Sequence, residues 1–134
     1  MNQTNGKAWV HALRSGDYTQ GNGALHSLNA QTGAHTYCCL GVATELAVDA
    51  GILSPGLQQR GSSFHYLAGP CPLGDSNTFP PQVVWDWLGL ETPDPVFTID
   101  GLPWKASELN DDLGFTFAEV ADLIEAQYLV AANA

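Results

Sequence analysis

Apolar residues in this chain recur in helical steps along several stretches, and in short β-prone runs between them. Trp9, Val10 and Leu13 form one stripe, which predicts a first helix capped by Thr4 or Asn5, running to about Ser15 and closed by Gly16. Cys39, Ala43, Leu46, Ala47 and Ala50 fall at i, i+4, i+7, i+8 and i+11 and predict a second helix, stopped by Gly51. Val83, Val84, Trp87 and Leu88 are expected to supply the buried side of a third, with Pro80 and Pro81 in its first turn and Gly89 at its end. Trp85 and Trp87, two apart, cannot share a face, which leaves Trp85 as a possible stacking surface. Phe117, Val120, Ala121, Ile124 and Tyr128 define the last helix behind a Thr116–Glu119 capping box. Ser107 is placed to cap a short helical turn through Asn110, and Asn110-Asp111-Asp112 reads as an exposed turn.

Between the helices, Ala24 to Leu28 and His35 to Cys38 predict a hairpin able to bring His26 and His35 near one another. Val96 to Ile99 predicts a strand that ends in an Asp100-Gly101 turn. From Ser54 to Pro80 the chain is crowded with Gly, Pro and Ser, and only Ser63 to Leu67 has strand character. So long an irregular segment usually serves as a binding loop or lid. The expected fold is α+β: three to four helices packed on a small antiparallel hairpin or sheet, with one long irregular loop. At 134 residues and 45% apolar composition, residues 1–134 are expected to form a single compact domain with its own core.

Charge changes this picture by dividing the chain. The net charge is −10, and residues 1–67 balance to zero. Residues 68–134 carry eleven acids against Lys105 alone. Such a surface repels nucleic acid and anionic lipid, so direct nucleic-acid binding is not expected, and a basic partner is favoured. A solvated acidic face that only maintains solubility has the same composition. No apolar run is long enough to span a bilayer, the first seven residues lack an apolar signal region, and three cysteines cannot all pair, which together imply a reducing cytoplasm.

Two groups of residues carry candidate chemistry. Lys7, His11 and Arg14 share one face of the first helix, and with Tyr18 and Gln20 in the following turn they form the best candidate for holding a small anionic ligand. The same pattern describes an ordinary solvated helix face. Cys38 and Cys39 sit where a strand meets a helix, the place where unpaired N–H groups favour a thiolate. A papain-like hydrolase or transferase would use one of them as nucleophile, with His65, or else His35, as base and the helix N–H groups as oxyanion donors. Cysteine is equally among the most buried residue types, and core packing is the plainer reading of both. No metal-ligand spacing, phosphate-cradling loop, serine elbow or internal repeat occurs, so no metal or cofactor is expected.

The blocks Trp9 to Gln20, Tyr37-Cys38-Cys39-Leu40-Gly41-Val42, Leu88-Gly89-Leu90, Leu109-Asn110-Asp111 and Phe117 to Glu125 resemble a family of small uncharacterised proteins encoded mostly by bacteriophages. The resemblance spans nearly the whole chain. It implies a phage origin, residence in the bacterial host's cytoplasm and a compact α+β domain, and it brings no catalytic role with it. The function expected on these grounds is non-catalytic: a phage accessory protein that binds a host protein or a small ligand, for instance to counter a host defence. The cysteine-dependent enzyme is the alternative.

Overall fold

The structure, a computed structural model, describes residues 1–53, 57–66 and 77–129, with residues 57–60 described by their backbone alone. Asn2, rather than Thr4 or Asn5, opens the first helix: its side chain accepts the Asn5 N–H at 2.9 Å, and α1 runs Gln3–Arg14. The alternative caps lie one turn inside, where Asn5 instead donates through its amide to the Trp87 carbonyl. Trp9, Val10 and Leu13 are buried, as their spacing predicts.

The hairpin expected after the turn forms from β1 (His26–Leu28) and β2 (His35–Tyr37), antiparallel, with His26 opposite Tyr37 and Leu28 opposite His35. Tyr37 leads through Cys38 directly into α2, Cys39–Asp49, which ends at Gly51 with φ 76°. Two further strands, β3 (Leu57–Arg60) and β4 (Ser63–Tyr66), join the hairpin in a four-stranded sheet of order β2-β1-β4-β3. Strand character is therefore not confined to Ser63–Leu67. β3 has a polar sequence without apolar alternation; what makes it a strand is the open edge of β4, and sequence periodicity carries no trace of that. Residues 54–56 and 67–76, Cys71 among them, lie outside the described residues.

The third helix, α3, spans Gln82–Leu88 behind Pro81 at its N-cap, and Gly89 closes it in the left-handed conformation. In only seven residues, the i, i+4 pair Val84 and Leu88 is buried, while Val83 is 40% exposed and not part of the buried side. Trp85 and Trp87 are both half-buried. Val96 to Ile99 forms β5, Asp100 and Gly101 both take positive φ as a two-residue type I′ turn demands, and Leu102–Lys105 returns as β6.

The edges of this second hairpin are closed to further strands. The Thr98 N–H and C=O are held by the side-chain amide of Gln127, and the Val96 carbonyl accepts the Tyr128 hydroxyl. On β6, Pro103 has no N–H to offer, and the Lys105 N–H is taken by Glu108 at 2.9 Å. α4 follows as Ala106–Asp111 with Lys105 at its N-cap, two residues before Ser107, which bonds the Asp94 carboxylate instead. The Thr116–Glu119 capping box opens α5, Phe117–Tyr128.

Among the described residues the fold is thus α+β, with five helices and two small antiparallel sheets. α2 is its centre: Cys39, Leu40, Gly41, Val42, Ala43, Thr44 and Ala47 are all buried, so its first two turns are covered on every side. Trp9 of α1 reaches it and donates its indole N–H to the Cys39 carbonyl at 3.0 Å. Gly41 is required by this packing, since a Cβ there would stand 1.7 Å from the Leu25 carbonyl oxygen. No helix among the described residues is long and apolar enough to cross a membrane.

Candidate functional site

Lys7, His11 and Arg14 do lie exposed on the outer face of α1, but Arg14 has partners. Its guanidinium bonds Asp122 at 2.6 Å and Glu125 at 3.1 Å, both on α5. The hydrogen bonds to Glu125 and then Asp122 hold its charge more firmly than in an isolated side chain. The planar fork that an anionic ligand would need is thus occupied by carboxylates of the chain itself, leaving Lys7 and His11.

The two turn residues serve different ends. Tyr18 is half-buried with its ring edge-on to Tyr37, centroids 5.2 Å apart, and burial, followed by the charges of Asp49 and Glu45, pushes its hydroxyl pKa up. Gln20 is structural. Its amide donates to Asn110 Oδ1 at 2.9 Å and to the Phe115 carbonyl at 2.7 Å, and its oxygen accepts the Phe117 N–H at 3.1 Å, at the start of α5.

Asn110 is the hub of that arrangement and not an exposed turn: it is 1% exposed. Its Nδ2 donates to the Gly21 carbonyl and to Asp111, both at 2.8 Å, while Oδ1 accepts from Gln20 and from the Cys39 N–H at 3.2 Å. Both amide protons and two lone pairs are used, so one side chain ties the 20–21 turn, the head of α2 and, through Gln20, the head of α5. Spacing on a single element cannot reveal this, because the partners are 71 to 90 residues away in sequence.

The thiols are sealed. Cys38 is 6% exposed and Cys39 fully buried, with its sulfur facing the Ala106 carbonyl at 3.7 Å. Burial pushes the Cys38 thiol up to about 11, although the Gly41 and Leu40 N–H groups at the head of α2 pull the other way. Burial likewise pushes Cys39 well above the ordinary thiol value. The helix N-terminus acts on the sulfur as expected, and desolvation outweighs it. His65 is half-buried on β4, where strand alternation sends it to the face opposite Phe64 and Tyr66. The Cys38, Cys39 and His65 set therefore offers no thiolate at neutral pH.

The structure does bring together a cluster that sequence reading only touched. His26 is 4% exposed and is sandwiched between Tyr37 (ring centroids 4.5 Å apart) and Phe64 (4.1 Å). Its Nε2 lies 2.7 Å from Nδ1 of the exposed His35. On the other side its Nδ1 has no hydrogen-bond partner and stands 3.6 Å from Oε1 of Glu45 on α2, an oxygen that already accepts the Tyr66 hydroxyl. Burial, then the neighbouring His35, lower the His26 pKa to about 4, and Tyr66 is raised by burial and by its bond to Glu45. The hairpin pattern signals the His26–His35 approach. Glu45, Phe64 and Tyr66 carry no such signal, since only the packing of sheet on α2 assembles them.

Among the described residues no group of three or more His, Cys, Asp or Glu side chains is arranged to hold a metal ion. A surface depression of about 320 Å³ lies elsewhere, between Met1, the 89–92 turn, Pro95, Val96 and Tyr128. None of the residues discussed above as candidates lines it.

These features define a small α+β protein with a polar hub beneath its central helix and a histidine cluster beside it. The chain belongs to the family described as a domain of unknown function, DUF8296, whose model matches residues 1–128. No curated protein and no solved structure matches it.

Proposed function

We propose that this chain is a bacteriophage-type accessory protein that works by binding, in the cytoplasm of the bacterial host, and that its partner is a host protein with a basic surface. Countering a host defence or redirecting a host process is the purpose such binding would serve. The observation that carries the reading is the fate of charge on the surface. Arg14, the best anion-holding group of the N-terminal half, is neutralised by Asp122 and Glu125, while Asp86, Glu91, Asp100, Asp112 and Glu119 remain exposed. An acidic surface of this kind steers and orients a basic partner. The closed edges of the β5–β6 hairpin favour recognition by side chains over strand addition there. Buried thiols with raised pKa values weigh against the cysteine-dependent alternative.

Affinity capture from a bacterial lysate tests the proposal. A host protein retained at about 50 mM salt and released at about 500 mM supports it, since screening weakens contacts between exposed charges. Retention should also fall with the triple variant Asp86→Asn, Glu91→Gln, Asp112→Asn. No retained protein at low salt, or retention indifferent to both salt and variant, removes its support.

A further inference from the structure

The β1–β2 hairpin is pinned by a pair of imidazoles that can hold one extra proton between them but not two. With His26 Nε2 and His35 Nδ1 2.7 Å apart, one N–H must face one lone pair. Two neutral rings satisfy this, and so does a pair with one added proton on either ring. When both rings are charged every ring nitrogen carries hydrogen, so the facing N–H groups collide and two like charges meet at contact distance.

The surroundings set the balance from every side. From α2, Glu45 faces His26 Nδ1 at 3.6 Å, and Asp49 follows one turn later. From β4, Tyr66 donates to that same Glu45 oxygen. From β2 and the turn after α1 come Tyr37 and Tyr18, with Asp17 near the latter. The acids favour a first proton. The apolar sandwich of Tyr37 and Phe64 around a buried ring opposes a second.

We infer that the His26–His35 pair is an acid-operated latch: it takes one proton with the hairpin shut, and the second proton parts β2 from β1 at the turn end of the hairpin. The opposite end stays fastened, because the Tyr37 N–H and C=O are bonded to Thr19 and Gly21 at 2.9 and 2.7 Å. The part that moves is β2 with the turn before it, residues 29–36, while Leu28 of β1 stays bonded to the Ser62 carbonyl, and the departure of His35 uncovers the Nε2 edge of His26. This goes beyond the binding proposal and does not depend on it.

The test is an NMR titration of the full chain from about pH 8 to about pH 3, following the imidazole nitrogens of both histidines together with amide hydrogen exchange corrected for intrinsic rates. The reporter is the Asn29 amide, bonded across the turn to the Ala34 carbonyl. The controls are the Tyr37 amide and the Val120 amide of α5. The latch predicts two separate protonation steps, with Asn29 protection intact through the first and reduced about tenfold or more at the second, while both controls hold. In His35→Gln, the side-chain carbonyl can accept from a charged His26 and no second charge arises. Protection of Asn29 should then change less than about threefold over the same range. Unchanged Asn29 protection through both steps, an equal loss at Val120, or the same loss in His35→Gln would each overturn the inference.

Discussion

Asn110 at 1% exposure and His26 at 4% are polar side chains buried within the same fold, and they are treated in opposite ways. Asn110 has every donor and two lone pairs matched, to partners on α2, on the 20–21 turn and on its own helix. His26 has one nitrogen paired to an exposed histidine and the other left without a hydrogen bond near a carboxylate. A satisfied buried network fixes one arrangement of the chain, whereas a half-satisfied titratable group stores sensitivity to pH. The difference separates the part of the molecule that holds the elements in place from the part that is poised to respond.

The strongest way to break this contrast is to remove the hub. Asn110→Leu removes the acceptor of the buried Cys39 N–H, the donor to the Gly21 carbonyl and one of the two acceptors of the Gln20 amide, and a loss of about 3–5 kcal/mol in urea unfolding is expected. A loss under about 1 kcal/mol would show that water or a shifted neighbour replaces it.

The wild-type pH profile should show the next largest effect. His26 titrates near 6.5 in an unfolded chain and at about 4 in the folded one. Between those values the unfolded state binds more protons. Stability from this group is therefore complete above about pH 6.5, declines as pH falls, and levels off below about 4, for a total on the order of 2–3 kcal/mol. Unfolding free energies measured at half-unit intervals give this curve directly.

Tyr66→Phe sharpens the same site. It removes the hydroxyl that occupies Glu45 Oε1, which is expected to lower stability by about 1 kcal/mol and to let the carboxylate turn to His26 Nδ1, raising the His26 pKa, so that the acid decline becomes smaller and levels off at a higher pH. Imidazole shifts in the variant report that movement. His26→Phe should be milder still: an aromatic ring keeps the stack between Tyr37 and Phe64, so stability at pH 7 should stay within about 1 kcal/mol and the acid decline should flatten. If His26→Phe is as damaging as Asn110→Leu, the two sites are not different in kind.

Arg14→Ala supplies the exposed reference point. Its two ion pairs are solvent-facing, so a change of less than about 1 kcal/mol is expected, shrinking further as salt is added.

Helical spacing placed most of this fold in advance, because an apolar stripe has one way to be buried: α1 carries the Trp9 series, and α2 and α5 begin where Cys39 and Phe117 begin theirs. The His-bearing hairpin and the Asp100-Gly101 turn were legible for the same local reason, as alternation and positive φ are properties of neighbouring residues. β3 and β6 were not. One is polar after Leu57 and the other carries a proline, and each exists because a partner strand presents its edge. The shared exposed face of Lys7, His11 and Arg14 follows from the helix, yet the acids that occupy Arg14 arrive from α5, more than a hundred residues along the chain.

What the sequence determined by itself was therefore everything with a short period: the helices, their caps at Thr116 and Gly89, the hairpin that lets two histidines meet, and the acidity of the C-terminal half. Only tertiary structure decided that the paired cysteines are inert core, that Asn110 is a buried hub, and that Glu45 and Tyr66 stand beside His26. Desolvation and hydrogen-bond satisfaction are properties of the space around a group, and in this chain that space is built by residues distant in sequence.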